Sequence, residues 1–304
     1  MLCSCNGNES ESESSQTGCL NVAFDWSNES DANPQSVSLF LFPVDGGIPY
    51  RYDFGSRDSG TVEVKAGTYN AVCISNDEPA IAFRGEVSYN TFEVYSPIAT
   101  NIDLDPANSV SSSELPRAIG KEEQTIVQQP PLLWSDTVYN LDAGADGRQL
   151  VMTPKRIVDT YKVTVAHINN AQYLYSLNAT VSDLADGYFP GVMTHNGNQT
   201  TIPHGLSHNV ELANAEGMFY AFGHCAETPR NHKLMLYAIL TDGRKYYYEY
   251  DVTNQMHLPA DADNIRHITV DLLDLPESNG NGDQGSGLGP NINDWEHIDI
   301  DLPM

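Results

Sequence analysis

The sequence predicts an all-β protein made of two β-sandwich domains in tandem, with a C-terminal strand after a glycine-rich linker. Short stretches in which apolar and polar residues alternate recur along the 304 residues, and this period of two is typical of half-buried strands. The 23 Gly and 17 Pro are spread between these stretches as turn residues. Helical patterns are few, and we predict only a single helical turn, within residues 177–186.

The first domain is expected over residues 17–148. Its predicted strands are residues 20–26, 36–42, 50–54, 61–64 and 68–75, followed by further short strands within 81–104. In the first of these, Leu20, Val22, Phe24 and Trp26 share one face. The second and third should pair as a hairpin across an Asp-Gly-Gly turn. This spacing of short strands is typical of a sandwich.

The second domain is expected over residues 149–276. Its predicted strands are residues 156–168, 213–222, 233–240, 245–252 and 267–272. Residues 241–244 form the clearest hairpin turn of the chain. Residues 277–304, a flexible Gly-rich linker and a terminal strand, are assigned to this domain. A single large β structure is the alternative to two sandwiches.

The charge of the chain excludes whole classes of partner. Fifteen Lys and Arg face 41 Asp and Glu, which gives a formal net charge of −26. A general nucleic-acid binder needs clustered basic residues to neutralise phosphates, so we exclude that class. An anionic membrane surface is disfavoured for the same reason. The five cysteines form no zinc-type pairs, and we expect Cys73 and Cys225 to be small buried apolar residues.

The start of the chain resembles a bacterial lipobox. Leu2 and two small residues precede Cys5, which would carry the lipid, and an acidic Ser/Glu tract follows. That tract resembles the export signal of surface lipoproteins in Bacteroidales-type bacteria, so residues 1–16 are expected to form a lipoprotein N-terminus and acidic tether. Only four residues precede Cys5, whereas a signal has an apolar core of about 7–15 residues, so we expect that the start of the chain is truncated or misassigned. The alternative is a disordered polar terminus.

Three features together resemble the fimbrillin-like lipoproteins of Bacteroidales-type bacteria, the subunits and accessory proteins of type V pili. They are the lipobox, the Lys65-Ala66-Gly67-Thr68-Tyr69-Asn70 element before an apolar strand, and the closing segment 292–301. Pro154-Lys155-Arg156 and the Tyr-rich hairpin at 245–251 are similar to uncharacterised members of that superfamily. The resemblance implies two transthyretin-like sandwiches, export to the outer surface and assembly by strand exchange.

The resemblance also implies candidate sites. Shaft subunits of the family are trimmed by an Arg-specific protease that removes the first strand, and Arg51 and Arg57 are the nearest candidates here. The terminal strand would be the exchanging segment. Its apolar anchor residues are Trp295, Ile298, Ile300 and Leu302.

Evidence for catalysis is weak, and we expect no enzyme activity, no cofactor and no metal site. His204 and His208 could share the face of a helix, but Pro203 and Gly205 oppose a helix there and no HExxH motif is present. Residues 279–283 resemble the start of a calcium loop but lack its glycine spacing and bidentate Glu. A weak calcium site built from several acidic loops remains open.

We therefore expect a non-catalytic, lipid-anchored adhesin or pilus component at the outer membrane, on the cell surface or in a fimbrium. Its partners would be other pilus subunits or host and bacterial surface ligands, and its contact with the outer membrane would be the lipid. The alternative is a surface glycan-binding lipoprotein of a polysaccharide-utilisation system, in which exposed rings of Tyr246, Tyr247, Tyr248 and Tyr250 would stack on sugar. A third possibility is an enzyme whose site the sequence does not reveal.

Overall fold

The computed structural model describes residues 17–75, 81–105, 108–143, 147–224, 231–277 and 295–299. These residues form 25 β-strands, one four-residue α-helix and three 3-10 turns at Ser112–Glu114, Ala171–Tyr173 and Pro190–Val192. The all-β prediction is confirmed. The described residues divide into two compact units, which are described separately below.

The elements in chain order are β1 (Thr17–Phe24), β2 (Val37–Pro43), β3 (Tyr50–Phe54), β4 (Ser59–Lys65), β5 (Gly67–Ser75), β6 (Ala82–Arg84), β7 (Glu93–Tyr95), β8 (Asn101–Asp105), β9 (Asn108–Ser111), β10 (Thr125–Ile126), β11 (Trp134–Ala143), β12 (Arg148–Met152), β13 (Lys155–Arg156), β14 (Asp159–Val165), β15 (Ile168–Asn169), β16 (Leu174–Leu184), β17 (Gly187–Phe189), β18 (Thr194–His195), β19 (Thr200–Asn209), β20 (Asn214–Ala221), β21 (Lys233–Leu240), β22 (Lys245–Asp251), α1 (Thr253–Met256), β23 (Ile265–Val270), β24 (Leu273–Asp274) and β25 (Trp295–His297).

The first unit is a β-sandwich. A three-stranded sheet of order β12-β1-β4 packs on a five-stranded sheet of order β13-β11-β5-β2-β3. The face of β1 that the sequence predicts, Leu20 to Trp26 at alternate positions, contributes to the core between them. Phe24 meets Phe54 edge to face at a centroid distance of 5.4 Å. The predicted pairing of β2 with β3 is also confirmed, with Val37 opposite Phe54.

The outer face of the five-stranded sheet is covered as well. Phe40 and Phe42 of β2 point away from the sandwich core, and both contact the ring of Phe92, at 4.5 and 5.3 Å between centroids. This second apolar layer explains why β2 has six consecutive buried residues instead of an alternating pattern. The segment that carries Phe83, Tyr89 and Phe92 therefore acts as a lid on the sheet.

The second unit contains a nine-stranded sheet of order β23-β14-β20-β19-β16-β21-β22-β25, with β10 beside β19. β19 pairs with β16 through Thr200–Leu206 and with β20 through Ser207–Asn209. Side chains from both halves of the sheet, such as Phe219 and Leu236, share one core. The sheet therefore folds back on itself at β19, and its two halves enclose the core as in a sandwich.

Close approach of β19 and β20 requires a glycine. A Cβ placed on Gly217 would lie 2.4 Å from the carbonyl oxygen of Gly205 and 2.7 Å from Cδ2 of Leu206. The Gly205 oxygen is a main-chain atom of a paired strand, so it does not move without disturbing the ladder. Gly217 thus permits the turn-back of the sheet.

Two expectations require correction. Residues 177–186 hold no helical turn, because most of them belong to the long strand β16. The units also do not follow a single boundary between residues 148 and 149: the first includes the described residues up to Tyr95, Leu132–Ile157 and Tyr188–Thr194, and the second includes Ser96–Pro131, Val158–Gly187 and the described residues from His195 onward. The segment Leu132–Ile157 belongs to the first unit because β12 pairs in parallel with β1, with Leu20 opposite Arg148.

Residues 96–131 belong to the second unit because their apolar side chains cover its sheet. Ile102, Leu104 and Ile126 pack on Met235 and Tyr237, which point to the outer face of β21. Asn178 of β16 also donates a hydrogen bond to the carbonyl of Leu104. Each unit thus has a sheet with both faces buried.

Candidate functional site

The C-terminal strand β25 lies along the edge of the large sheet of the second unit. It runs parallel to β22, with Trp295 opposite Lys245 and His297 opposite Tyr247. The amide of Ile298 donates to the carbonyl of Tyr247 at 3.1 Å and extends the ladder by one bond. Of the four predicted anchor residues, Ile300 and Leu302 lie outside the described residues.

Trp295 and Ile298 secure this strand on opposite faces of the sheet. Trp295 is half-buried on the outer face, where its ring meets that of Tyr237 at 5.5 Å and 74°. The ammonium of Lys245 lies 5.4 Å from the same indole centroid. Ile298 packs on the inner core. The alternating sequence pattern predicts Ile298 on an apolar face of the strand. Trp295 is three positions away, so its side chain lies on the opposite face, as the structure shows.

Few side-chain contacts hold β25 at the edge of the sheet. The Nε1 of Trp295 is buried and has no hydrogen-bond partner among the described residues, so its desolvation opposes docking. His297 stacks on Tyr247 at 4.8 Å but is exposed, as are Glu296 and Asp299. Only two apolar side chains of the described segment therefore contribute burial.

The Tyr-rich strand β22 is not an exposed aromatic platform. Tyr246 and Tyr248 are buried in the inner core, and the hydroxyl of Tyr248 donates to the carbonyl of Asp274 at 2.8 Å. Burial raises the pKa of Tyr248. Tyr247 is half-buried under His297 on the other face. Both parities of the strand thus contribute to packing, and the rings of Tyr247 and Tyr250 are half-buried.

The two candidate processing arginines are fixed in the first unit. Arg51 lies within β3, where its Nε donates to Asp53 at 2.9 Å and its guanidinium lies 5.4 Å from the Phe40 ring. Arg57 lies between β3 and β4, donates to the carbonyl of Ala32 and stacks over Trp26 at 5.2 Å. Each arginine packs on an aromatic ring, but Arg51 is exposed and Arg57 half-buried, so processing at these residues stays a prediction.

Among the remaining candidate residues, His204 and Tyr69 make contacts within the fold. His204 is buried in β19, stacked on Phe219 at 4.5 Å, and burial lowers its pKa to about 3. His208 is four residues along the same strand, about 13 Å away at the usual rise, so the two do not bind one metal ion. The hydroxyl of Tyr69 donates to the carbonyl of Lys65 at 2.9 Å, a contact within the fold. Cys5, Cys225 and residues 279–283 lie outside the described residues.

Known proteins share sequence similarity with this chain. Residues 4–204, more than half of the chain, match a family described as a domain of unknown function (DUF5119). The chain belongs to this family. One curated relative, provisionally named fimbrium anchoring subunit Fim4B of Bacteroides ovatus, is 26% identical over 86 residues. That match covers 28% of this chain and 26% of the relative, so the chain spans about a quarter of the length of the curated relative it matches.

Solved structures share the fold. A crystal structure provisionally named as an adhesin from Bacteroides ovatus has a TM-score of 0.62 at 18% identity and covers 91% of this chain and 99% of its own. Another, provisionally named as a polysaccharide binding protein from Bacteroides thetaiotaomicron, has a TM-score of 0.52 at 10% identity and covers 84% and 92%. The resemblance to fimbrillin-like proteins is confirmed. No helix within the described residues is long and apolar enough to span a membrane.

Proposed function

We propose that this DUF5119 protein is a non-catalytic, lipid-anchored adhesin or pilus component of the cell surface, which joins neighbouring subunits by addition of a strand at the β22 edge. The single observation that carries the proposal is β25, a parallel edge strand with few contacts. The fimbrial and adhesin names of its relatives support the same assignment.

Energetics favour an exchangeable strand. Full burial of a large apolar side chain contributes about 1.5–3 kcal/mol, so the half-buried Trp295 and Ile298 together contribute about 2–3 kcal/mol. Ordering each backbone residue costs about 1–2 kcal/mol. The described part of β25 therefore depends on its ladder with β22, and an edge strand offers the same ladder to another chain.

The fixed arginines support an accessory or anchoring role over a shaft role. Cleavage after Arg51 would cut β3 inside its hairpin with β2. A subunit that escapes trimming keeps its N-terminus, and with it a lipid on Cys5. Partitioning into the outer membrane is then expected for the chain expressed with a complete signal, and Cys5→Ala should move it to the soluble fraction, because several acyl chains at about 0.8 kcal/mol per buried CH₂ would be lost.

Peptide binding tests the proposed assembly. A chain that lacks residues 291–304 should bind a labelled peptide with the sequence of residues 292–302 at its vacated edge. The matched peptide with Ile298→Asp and Ile300→Asp should not bind, because Ile298 packs on the inner core and the sequence pattern predicts Ile300 on the same face of the strand. Equal binding of the two peptides, or of neither by a folded truncated chain, would contradict strand addition.

A further inference from the structure

Three histidines pack together at one end of the second unit. His224 follows β20, His232 precedes β21 and His257 follows α1, so the cluster joins two strand ends and the end of a short helix. Their ring centroids are 5.3 Å (224–232), 4.7 Å (224–257) and 5.3 Å (232–257) apart, and the ring planes are inclined by 61–84°. Three imidazoles around one tetrahedral ion, each about 2.0–2.1 Å from it through nitrogen, have centroids about 5 Å apart.

His232 has a ring nitrogen that nothing else uses. The residue is fully buried, and its Nδ1 lies 3.0 Å from the carbonyl oxygen of Ser182, which requires Nδ1 to carry the proton. Its Nε2 is then a lone-pair acceptor, and this atom is buried with no hydrogen-bond partner among the described residues. A histidine whose Nδ1 donates to a backbone carbonyl is oriented in the way metal ligands are.

His224 is oriented in a similar way. Its Nδ1 lies 3.3 Å from the hydroxyl of Tyr161, and that hydroxyl lies 3.4 Å from Oδ2 of Asp159. When Tyr161 donates to the carboxylate, its oxygen accepts from Nδ1 of His224, so Nε2 is again the free nitrogen. In this neutral tautomer, Nε2 carries the lone pair that a metal ion would take.

His257 is the adjustable member of the cluster. It is exposed, and its ring makes no hydrogen bond within the described part of the chain. As the rings stand, no three His, Cys, Asp or Glu donors of the described residues are arranged to hold a metal ion. The buried ring of His232 and the half-buried ring of His224 are oriented by Ser182 and Tyr161. The adjustment therefore falls on His257, because exposed side chains change rotamer within nanoseconds.

The nearby charges are balanced. Arg266 disfavours a cation beside His224, but its Nε lies 3.4 Å from Oδ2 of Asp159, whose negative charge offsets it. We propose that His224, His232 and His257 form a binding site for a borderline divalent transition metal such as Zn²⁺, with water in the remaining position. The ion would fasten two strand ends and the end of α1 in the second unit, independently of any strand exchange.

Metal titration of the metal-free full chain tests this site. Co²⁺ should bind with one equivalent and give visible d–d absorption, and Zn²⁺ should displace it and raise the Tm. His257→Gln should weaken Co²⁺ binding at least ten-fold, because loss of even an outer partner of a metal ligand costs about 10–100-fold. The matched control is His208→Gln, which removes a histidine outside the cluster and should leave affinity unchanged.

The histidine variants differ in how they are expected to affect folding. His257 is exposed, so His257→Gln should fold, whereas His232→Gln changes a buried residue and requires a thermal melt beside it. All titrations are repeated with Cys225→Ser, which removes the thiol next to His224 in sequence. Absence of saturable binding, binding unaffected by His257→Gln, or binding abolished by Cys225→Ser would each overturn the three-histidine site.

Discussion

Removal of the C-terminal strand should weaken the second unit without unfolding it. Truncation of a buried Trp costs about 3–5 kcal/mol, so the half-buried Trp295 accounts for about 2 kcal/mol and the half-buried Ile298 for about 1 kcal/mol. The hydrogen bonds of β25 and the entropy of ordering it oppose each other. Deletion of residues 291–304 should therefore cost about 3 kcal/mol, or about 6–12 °C in the Tm of a unit of this size.

Differential scanning calorimetry measures this loss. The core of the second unit is built mainly from other strands, so a cooperative transition should survive in the truncated chain. Glu296→Gln provides a control on the same strand, since this exposed side chain should leave the Tm unchanged. A truncated chain with no cooperative transition would refute the reasoning and make β25 an integral part of the sandwich.

Three further predictions concern single residues. Gly217→Ala should destabilise the chain by about 1–3 kcal/mol in urea unfolding through its contact with Gly205, whereas Gly197→Ala, where a Cβ meets nothing within 4 Å, should be near neutral. His204 should ionise near its ordinary pKa in the unfolded chain, whereas burial lowers its pKa to about 3 in the folded chain. The free energy of unfolding should therefore fall by up to about 1.4 kcal/mol per pH unit as the pH falls from 6.5 to 3. The pH dependence of Tm should flatten in His204→Phe, and an unchanged slope would contradict this. Arg57→Gln should cost about 1–2 kcal/mol through lost contacts with Trp26 and Ala32, compared with less than about 1 kcal/mol for the exposed Arg148→Gln; equal effects would show that Arg57 is not fixed.

Local patterns determined the parts of the fold that the sequence predicted. β1 alternates because one of its faces is solvated, and the turn at 241–244 joins two strands that pair directly, Lys233 opposite Asp251. Such features depend on neighbours within a few residues. They were visible before any three-dimensional information.

Long-range contacts account for what the sequence did not predict. The parallel pairing of β1 with β12 joins residues more than 120 positions apart, and no local signal marks it. β16 shows no alternation because the 96–131 segment covers its outer face, as Asn178 and Leu104 illustrate. Arg51 and Arg57 were candidates through the family resemblance and their position near the first strands, and their aromatic neighbours became visible only in the structure.

The sequence also predicted only the local features of the candidate site. The sequence predicted a terminal strand with Trp295 and Ile298 as apolar residues, but not that it would run parallel to β22. The three-histidine cluster was missed because its members come from two strand ends and a helix end and share no regular spacing.

A cysteine cross-link tests strand addition most directly. Tyr247 and His297 lie opposite each other in the β22–β25 register, and their rings stack at 4.8 Å, so Tyr247→Cys with His297→Cys places two thiols side by side. The purified double variant should oxidise within one chain, whereas the same variant oxidised on cells during assembly should give disulfide-linked oligomers on non-reducing gels. Cross-linking only within single chains on cells would contradict the account.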